Sequence, residues 1–214
     1  MTRAVVFDLW DTLVEFPVRE ADVLKSRLAE LAAVDPDEFE RRWRDGYRAS
    51  QTGPLAESYR ALGIPDEHVA EHIAARHAFA RSALRLRRGA GETLAALRER
   101  GISLGLITVC SEDVPATWHE TELAGLFDVE TFSSKCGLIK PDPQIYLTTL
   151  DALGVEPGEA LFVGDGANDE LGGAERVGMT PVLFTPEGRD PYWAEVREWR
   201  GLRVSSLPEV LELC

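Results

Sequence analysis

The chain has 214 residues, 44% hydrophobic and 28% charged, proportions that exclude a disordered or fibrous polymer and leave room for a substantial buried core. Its 37 acidic against 23 basic side chains give a net charge of −14, which repels phosphate backbones and anionic headgroups and argues against nucleic acid or membrane as partners. Met1-Thr2-Arg3 runs directly into a short apolar stretch broken by Asp8, unlike a signal peptide or a spanning helix of about 20 apolar residues, so a cytoplasmic location is expected. Cys110, Cys136 and Cys214 are odd in number, far apart and without CxxC spacing; reduced thiols are expected rather than a disulfide or a zinc site.

In chain order, residues 4–7 form the first apolar, β-rich run, closed abruptly by Asp8. The next ninety or so residues hold no comparable strand signal. Val23, Leu24, Leu28 and Leu31 follow a helical period, and Asp35-Pro36 supplies a cap and first-turn proline for a second helix. Phe39, Trp43 and Tyr47 make a stripe at four-residue steps, read as interior of a helical unit. Further helices are expected over residues 55–62 and from 66 to about 86. Beyond them, strands at 102–107, 129–132, 161–163 and 182–184 alternate with helices at 91–100 and 142–153, the latter two closed by Gly101 and Gly154. The tail after Pro191 reads as helix, short strand and helix. This alternation predicts an α/β fold with a doubly wound parallel sheet: a core of residues 1–14 and 87–214, and a helical cap domain of residues 15–86 inserted after the first strand.

Ligands of an open parallel sheet gather beyond the carboxyl ends of its strands. There stand Asp8-Leu9-Trp10-Asp11-Thr12, then Thr108, then Lys140 within Gly137-Leu138-Ile139-Lys140-Pro141-Asp142-Pro143, and Gly164-Asp165-Gly166-Ala167-Asn168-Asp169-Glu170. Carboxylate, hydroxyl, ammonium and carboxylates in that order, with a helical insertion after the first, resemble the haloacid dehalogenase superfamily across nearly the whole chain. Several carboxylates brought together repel one another unless cations hold them ionised, which fits a magnesium ion and Lys140.

The resemblance implies a hydrolase with Asp8 as covalent nucleophile and Mg²⁺ held by Asp8, Asp165, a backbone carbonyl and an acidic residue later in the last motif. Thr108 and Lys140 would bind the phosphoryl oxygens and orient the nucleophile, on a small phosphorylated substrate, in a monomer or homodimer. Two departures matter. Where the family's phosphatases carry a second aspartate as general acid/base, this chain has Trp10; its backbone carbonyl still suits magnesium, but its indole is no acid, leaving Asp11 as the candidate acid/base. Trp10 points toward a metal-independent 2-haloacid dehalogenase or a silent phosphate-binding protein, whereas Asp165 points back to a metal-dependent phosphatase. The second departure is an extra residue in the last motif: counting forward puts Asp169 in the acidic slot, and counting back from Gly178-Met179 puts Glu170 there.

Other signals carry less. His68-Val69-Ala70-Glu71-His72 matches a zinc-peptidase pattern without a third ligand and is read as a solvated helix face. Cys110 is read as a packing or pocket-lining residue. Arg81, Arg85, Arg87 and Arg88 are read as a solvated basic helix end.

Overall fold

The computed structural model describes the backbone of residues 1–214 and every side chain but that of Glu195. Strands β1 (Ala4–Phe7), β2 (Ser103–Thr108), β3 (Val129–Phe132), β4 (Ala160–Gly164), β5 (Thr180–Phe184) and β6 (Leu202–Val204) form one sheet in the order β3-β2-β1-β4-β5-β6. Every pairing is parallel. β1 lies centrally between β2 and β4, where the strand order reverses and where a crevice opens at the carboxyl edge.

Both faces of the sheet are covered, so β1 is a continuous buried run and not an alternating one. Val5 and Phe7 face one side, packed with Leu94 and Leu97 of α6 (Ala90–Glu99) and with Leu104 and Leu106. Ala4 and Val6 face the other, with Ile145, Tyr146 and Leu150 of α9 (Pro143–Leu153) and Leu171 and Ala174 of α10 (Glu170–Arg176). Asp142 caps α9 through Gln144 N–H, and left-handed Gly154 ends it, as the sequence pattern requires.

Between β1 and α6 lie α1 (Val18–Leu31), α2 (Pro36–Asp45), α3 (Tyr47–Thr52), α4 (Leu55–Leu62) and α5 (Asp66–Ala83). They have a core of their own, built on Leu28, Phe39, Leu55, Tyr59, Leu62, Ile64 and Val69. The chain leaves and re-enters the sheet region through adjacent segments: Val14 pairs antiparallel with Leu86, and Arg87 N–H donates to the Leu13 carbonyl at 2.7 Å. The Arg87 guanidinium ties the same turn, donating to the carbonyls of Thr12 and Asp11 and pairing with Glu15. α7 (Asp113–Thr117) and α8 (Ser133–Cys136) follow β2 and β3.

Three expectations are corrected. α5 stops at Ala83, short of Leu86, because Leu84 turns wholly into the core beside the sheet and Leu86 N–H is taken by Glu122. The aromatic stripe does not run along one helix, since Gly46 ends α2 and Tyr47 opens α3; Phe39 is core, but Trp43 and Tyr47 line a cavity. His72 is not solvated: it is buried edge-on to Tyr59, with Nδ1 against the His68 carbonyl at 2.9 Å.

Candidate active site

Asp8 ends β1, its backbone N–H donating to the Val163 carbonyl at 2.9 Å, which sets its carboxylate at the crevice and leaves it 5% exposed. Lys140 arrives from the loop before α9. Its ammonium, buried, donates to Asp8 Oδ1 at 2.5 Å, to Glu170 Oε2 and, more weakly, to the Ile107 carbonyl at 3.3 Å. Burial opposes its charge, yet Asp8 and Glu170 outweigh that cost and hold the ammonium protonated well above the usual lysine range. Thr108, at the end of β2, is fully buried, and its hydroxyl has no partner among the described residues.

The last motif decides which acidic residue turns inward. Asn168 and Asp169 both adopt left-handed backbone, at φ 52° and 53°. That turn sends Asp169 outward to pair with Arg176 at 2.9 Å and points Glu170 inward, where Oε1 accepts from Gly166 N–H at 3.0 Å. Glycine is required at position 164, because a Cβ there would sit 2.1 Å from Glu170 Oε1. Asp165 accepts from Ala167 N–H at 3.0 Å through Oδ1 and from the Trp193 indole N–H at 2.7 Å through Oδ2. Burial, and then the charge of Asp8, push its carboxyl up to about 6.

Carboxylate oxygens of Asp8, Asp165 and Glu170 lie within 4.8 Å of one another. Three carboxylates face one ammonium, so the cluster carries excess negative charge that is relieved by protons or by a cation. An all-oxygen donor set, with a free lone pair remaining on each Asp165 oxygen and an unused Asp8 oxygen, fits a hard divalent ion such as magnesium.

Residues 2–178 match the sequence family described as haloacid dehalogenase-like hydrolase. The chain belongs to that family. This hydrolase is 32% identical over 128 residues to a glyceraldehyde 3-phosphate phosphatase from Pyrococcus furiosus, an alignment covering 58% of this chain and 52% of the relative. The match thus spans about half of that relative's length. A second glyceraldehyde 3-phosphate phosphatase, from Pyrococcus abyssi, is 30% identical over 205 residues, covering 86% of this chain and 82% of the other. The fold superimposes on the crystal structure of a HAD phosphatase from Thermococcus onnurineus with a TM-score of 0.73, 24% identity, and coverage of 100% and 97% of the two chains.

A cavity of about 490 Å³ opens from the Asp8, Lys140 and Asp165 cluster toward the helices of residues 15–86. The Trp10 side chain forms part of its wall and meets Phe16 edge-on at 5.2 Å. Asp11, beside it, has positive φ and accepts the Phe16 N–H at 3.0 Å, so the turn itself engages the candidate acid/base. Partial burial raises its carboxyl above the usual range, offset in part by that hydrogen bond and by Arg87. Cys110 lines the cavity as a buried thiol pushed up to about 12 by burial, which disfavours the thiolate near neutrality. Arg81 pairs with Glu120 and Arg87 with Glu15; neither they nor Arg85 and Arg88 line the cavity.

Sequence reasoning missed three neighbours of the site. Trp193 reaches Asp165 from a segment beyond β5, and Val196 of the same segment packs on Gly166, where a Cβ would lie 2.6 Å from it. No local pattern marks Trp193, since its meaning depends on a partner 28 positions away. Arg76 of α5 enters the cavity wall and holds Asp113 at 2.9 Å and Ser111 at 3.1 Å. A single arginine on a polar helix carries no signal of its own.

Proposed function

We propose that this hydrolase is a magnesium-dependent phosphatase of small phosphorylated metabolites acting through an aspartyl-phosphate on Asp8. The observation that carries the reading is the cluster of Asp8, Asp165 and Glu170 around one buried ammonium at the carboxyl edge of the sheet. Phosphatase-named relatives support it.

Lys140 aims the Asp8 carboxylate by donating to its Oδ1 and leaves Oδ2 free toward the crevice. Asp8 attacks phosphorus, and Thr108, whose hydroxyl is otherwise unpartnered, donates to a phosphoryl oxygen. Glu170 fixes Lys140 from the far side and takes no part in bond making. Magnesium, held by Asp8, Asp165 and the Trp10 carbonyl, would neutralise charge on the phosphoryl group. The α1–α5 unit, residues 15–86, would serve as a cap that restricts water and large substrates. No helix among the described residues is long and apolar enough to cross a membrane, and the free cysteines suit the cytoplasm, where we place the protein as a monomer or homodimer.

Trp10 favours one rival, a metal-independent 2-haloacid dehalogenase in which Asp8 attacks carbon and halide leaves. Purified wild type and Asp8→Asn are to be compared on a phosphate-ester panel that includes an activated aryl phosphate, with magnesium and with chelator. Magnesium-dependent phosphate release, lost in Asp8→Asn, is the expected result. Halide release from 2-haloacids in chelator would establish the dehalogenase, and saturable phosphate binding without turnover would establish a silent binding protein.

A further inference from the structure

Polar groups line the cavity beyond the catalytic cluster, and two of them are left without partners. Tyr59 reaches it from α4 and Arg76 from α5, and both line the same space as Asp8 and Lys140. The Tyr59 hydroxyl and Nε of Arg76 are buried and make no hydrogen bond among the described residues, and Tyr59 as a whole is only 3% exposed. Burying a donor without a partner costs stability, so two of them in one wall call for an acceptor from outside the chain.

The Arg76 guanidinium is held in place but not used up. Its one aligned hydrogen bond among the described residues runs from Nη2 to Ser111 Oγ at 3.1 Å. Nη2 also lies 2.9 Å from Asp113 Oδ2, yet that oxygen accepts no aligned hydrogen bond, so the contact is an ion pair without directed bonding. Ser111 donates to the other Asp113 oxygen and ties the pair to the loop after β2. A guanidinium has five N–H donors in a planar fork and can serve two carboxylates at once. Lys25 and Arg42, the other cations of the cap wall, are part-exposed and hold Glu40 at 2.8 Å and Glu38 at 2.6 Å. The rest of that wall is largely apolar, with Leu24, Leu28, Leu55 and Leu62.

Both unpartnered groups are donors at neutral pH. Burial raises the Tyr59 hydroxyl above the usual tyrosine range and outweighs the lowering by Arg76, so it keeps its proton. Two donors, one of them cationic, select an acceptor that bears negative charge, because a charge-assisted hydrogen bond is about twice as strong as a neutral one. Cys110 and Ser111, which line the cavity too, lie just beyond Thr108. The two donors and the phosphoryl-binding hydroxyl thus belong to one space of about 490 Å³, enough for a single small molecule to reach both.

We propose that Arg76 and Tyr59 form a second subsite of this cavity that binds a carboxylate, so that the substrate is a phosphate monoester whose leaving group carries one carboxylate. The inference rests on the phosphatase reading above and narrows its substrate class. Arg76 and Tyr59 touch neither phosphorus nor the bond that breaks; they position the ester by its far end.

The test pairs turnover with binding. With magnesium present, kcat/KM is measured for ω-carboxyalkyl phosphates of increasing chain length and for the matching carboxamides, and Kd by calorimetry for the corresponding phosphonates, which are not hydrolysed. At one chain length the carboxylate is expected to exceed its amide by about 10²-fold in both readouts. Tyr59→Phe removes only the unpartnered hydroxyl, and Arg76→Lys keeps a cation for Asp113 but loses Nε–H; each should cut that preference about tenfold. The Tyr59→Phe protein should unfold at or above the wild-type temperature, since it loses a buried donor that had no partner. Turnover without a carboxylate preference at any length, or a preference that neither variant moves, would overturn the subsite and leave the phosphatase reading intact. Carboxylate-selective phosphonate binding without release from any ester would support the subsite and overturn the phosphatase. Neither binding nor release would overturn both.

Discussion

Asp165→Asn should make the metal-free protein more stable near neutral pH, against the usual direction for a change at a part-buried polar residue. Burial, and then Asp8, raise the Asp165 carboxyl from 3.8 to about 6. At about 1.36 kcal/mol per unit, that shift corresponds to about 3 kcal/mol between its charged and neutral forms in the fold. A carboxyl held above its unfolded value favours the fold fully below 3.8, where folded and unfolded chains both keep the proton, and that advantage is lost as the pH rises to about 6. Above this window the metal-free wild type bears the whole penalty. Asparagine removes the charge but has one acceptor oxygen where Asp165 uses two, for Ala167 N–H and Trp193 Nε1, so about 1 kcal/mol is given back. The net gain is about 2 kcal/mol, or about 4–8 °C in Tm for a chain of this size. Thermal unfolding in chelator at about pH 7.5 and at about pH 4 reads it directly. The variant should be the more stable at the higher pH and slightly the less stable at the lower, and saturating magnesium should raise Tm of the wild type only. An Asp165→Asn protein less stable than wild type in chelator at the higher pH would refute the charge accounting.

Lys140→Met strands Asp8 and Glu170 without their shared cation. It should abolish turnover and cost about 3–5 kcal/mol of stability, measured by denaturant unfolding, with partial recovery as the pH is lowered. Trp193→Phe keeps an aromatic ring but loses the 2.7 Å hydrogen bond to Asp165, so the magnesium Kd by calorimetry should rise about 10–100-fold while the unfolding midpoint in chelator changes little. Cys136 and Cys214 are exposed, whereas Cys110 is buried with its thiol pushed up to about 12. Maleimide should therefore modify only the two exposed thiols in the native protein and reach Cys110 after denaturation, as read by mass spectrometry.

Much of the site was legible because position along a strand is position in space: in a parallel sheet the residue after each strand falls on one edge. Asp8, Thr108 and Asp165 were found that way, and Lys140 by the motif around it. Helices α1, α2, α4 and α5 were legible from period and caps, α4 to its bounds, whereas α3 was not separated from α2. Where sequence reasoning failed, a long-range contact overrode a local pattern. α5 ended early to bury Leu84, and the aromatic stripe broke at Gly46, which moved Trp43 and Tyr47 from the expected interior to the cavity wall.

The residue types and spacings in this chain therefore determine by themselves a doubly wound sheet with a helical insertion and the set of groups gathered at its carboxyl edge, because periodicity, caps and strand ends are local properties. Only the tertiary structure decides which of Asp169 and Glu170 meets Lys140, that Trp193 holds Asp165, and that Arg76 in the cavity wall pairs with Asp113. Those outcomes depend on two consecutive left-handed residues and on pairs between distant segments, and pairwise electrostatics and packing become defined only once the chain has brought the partners together.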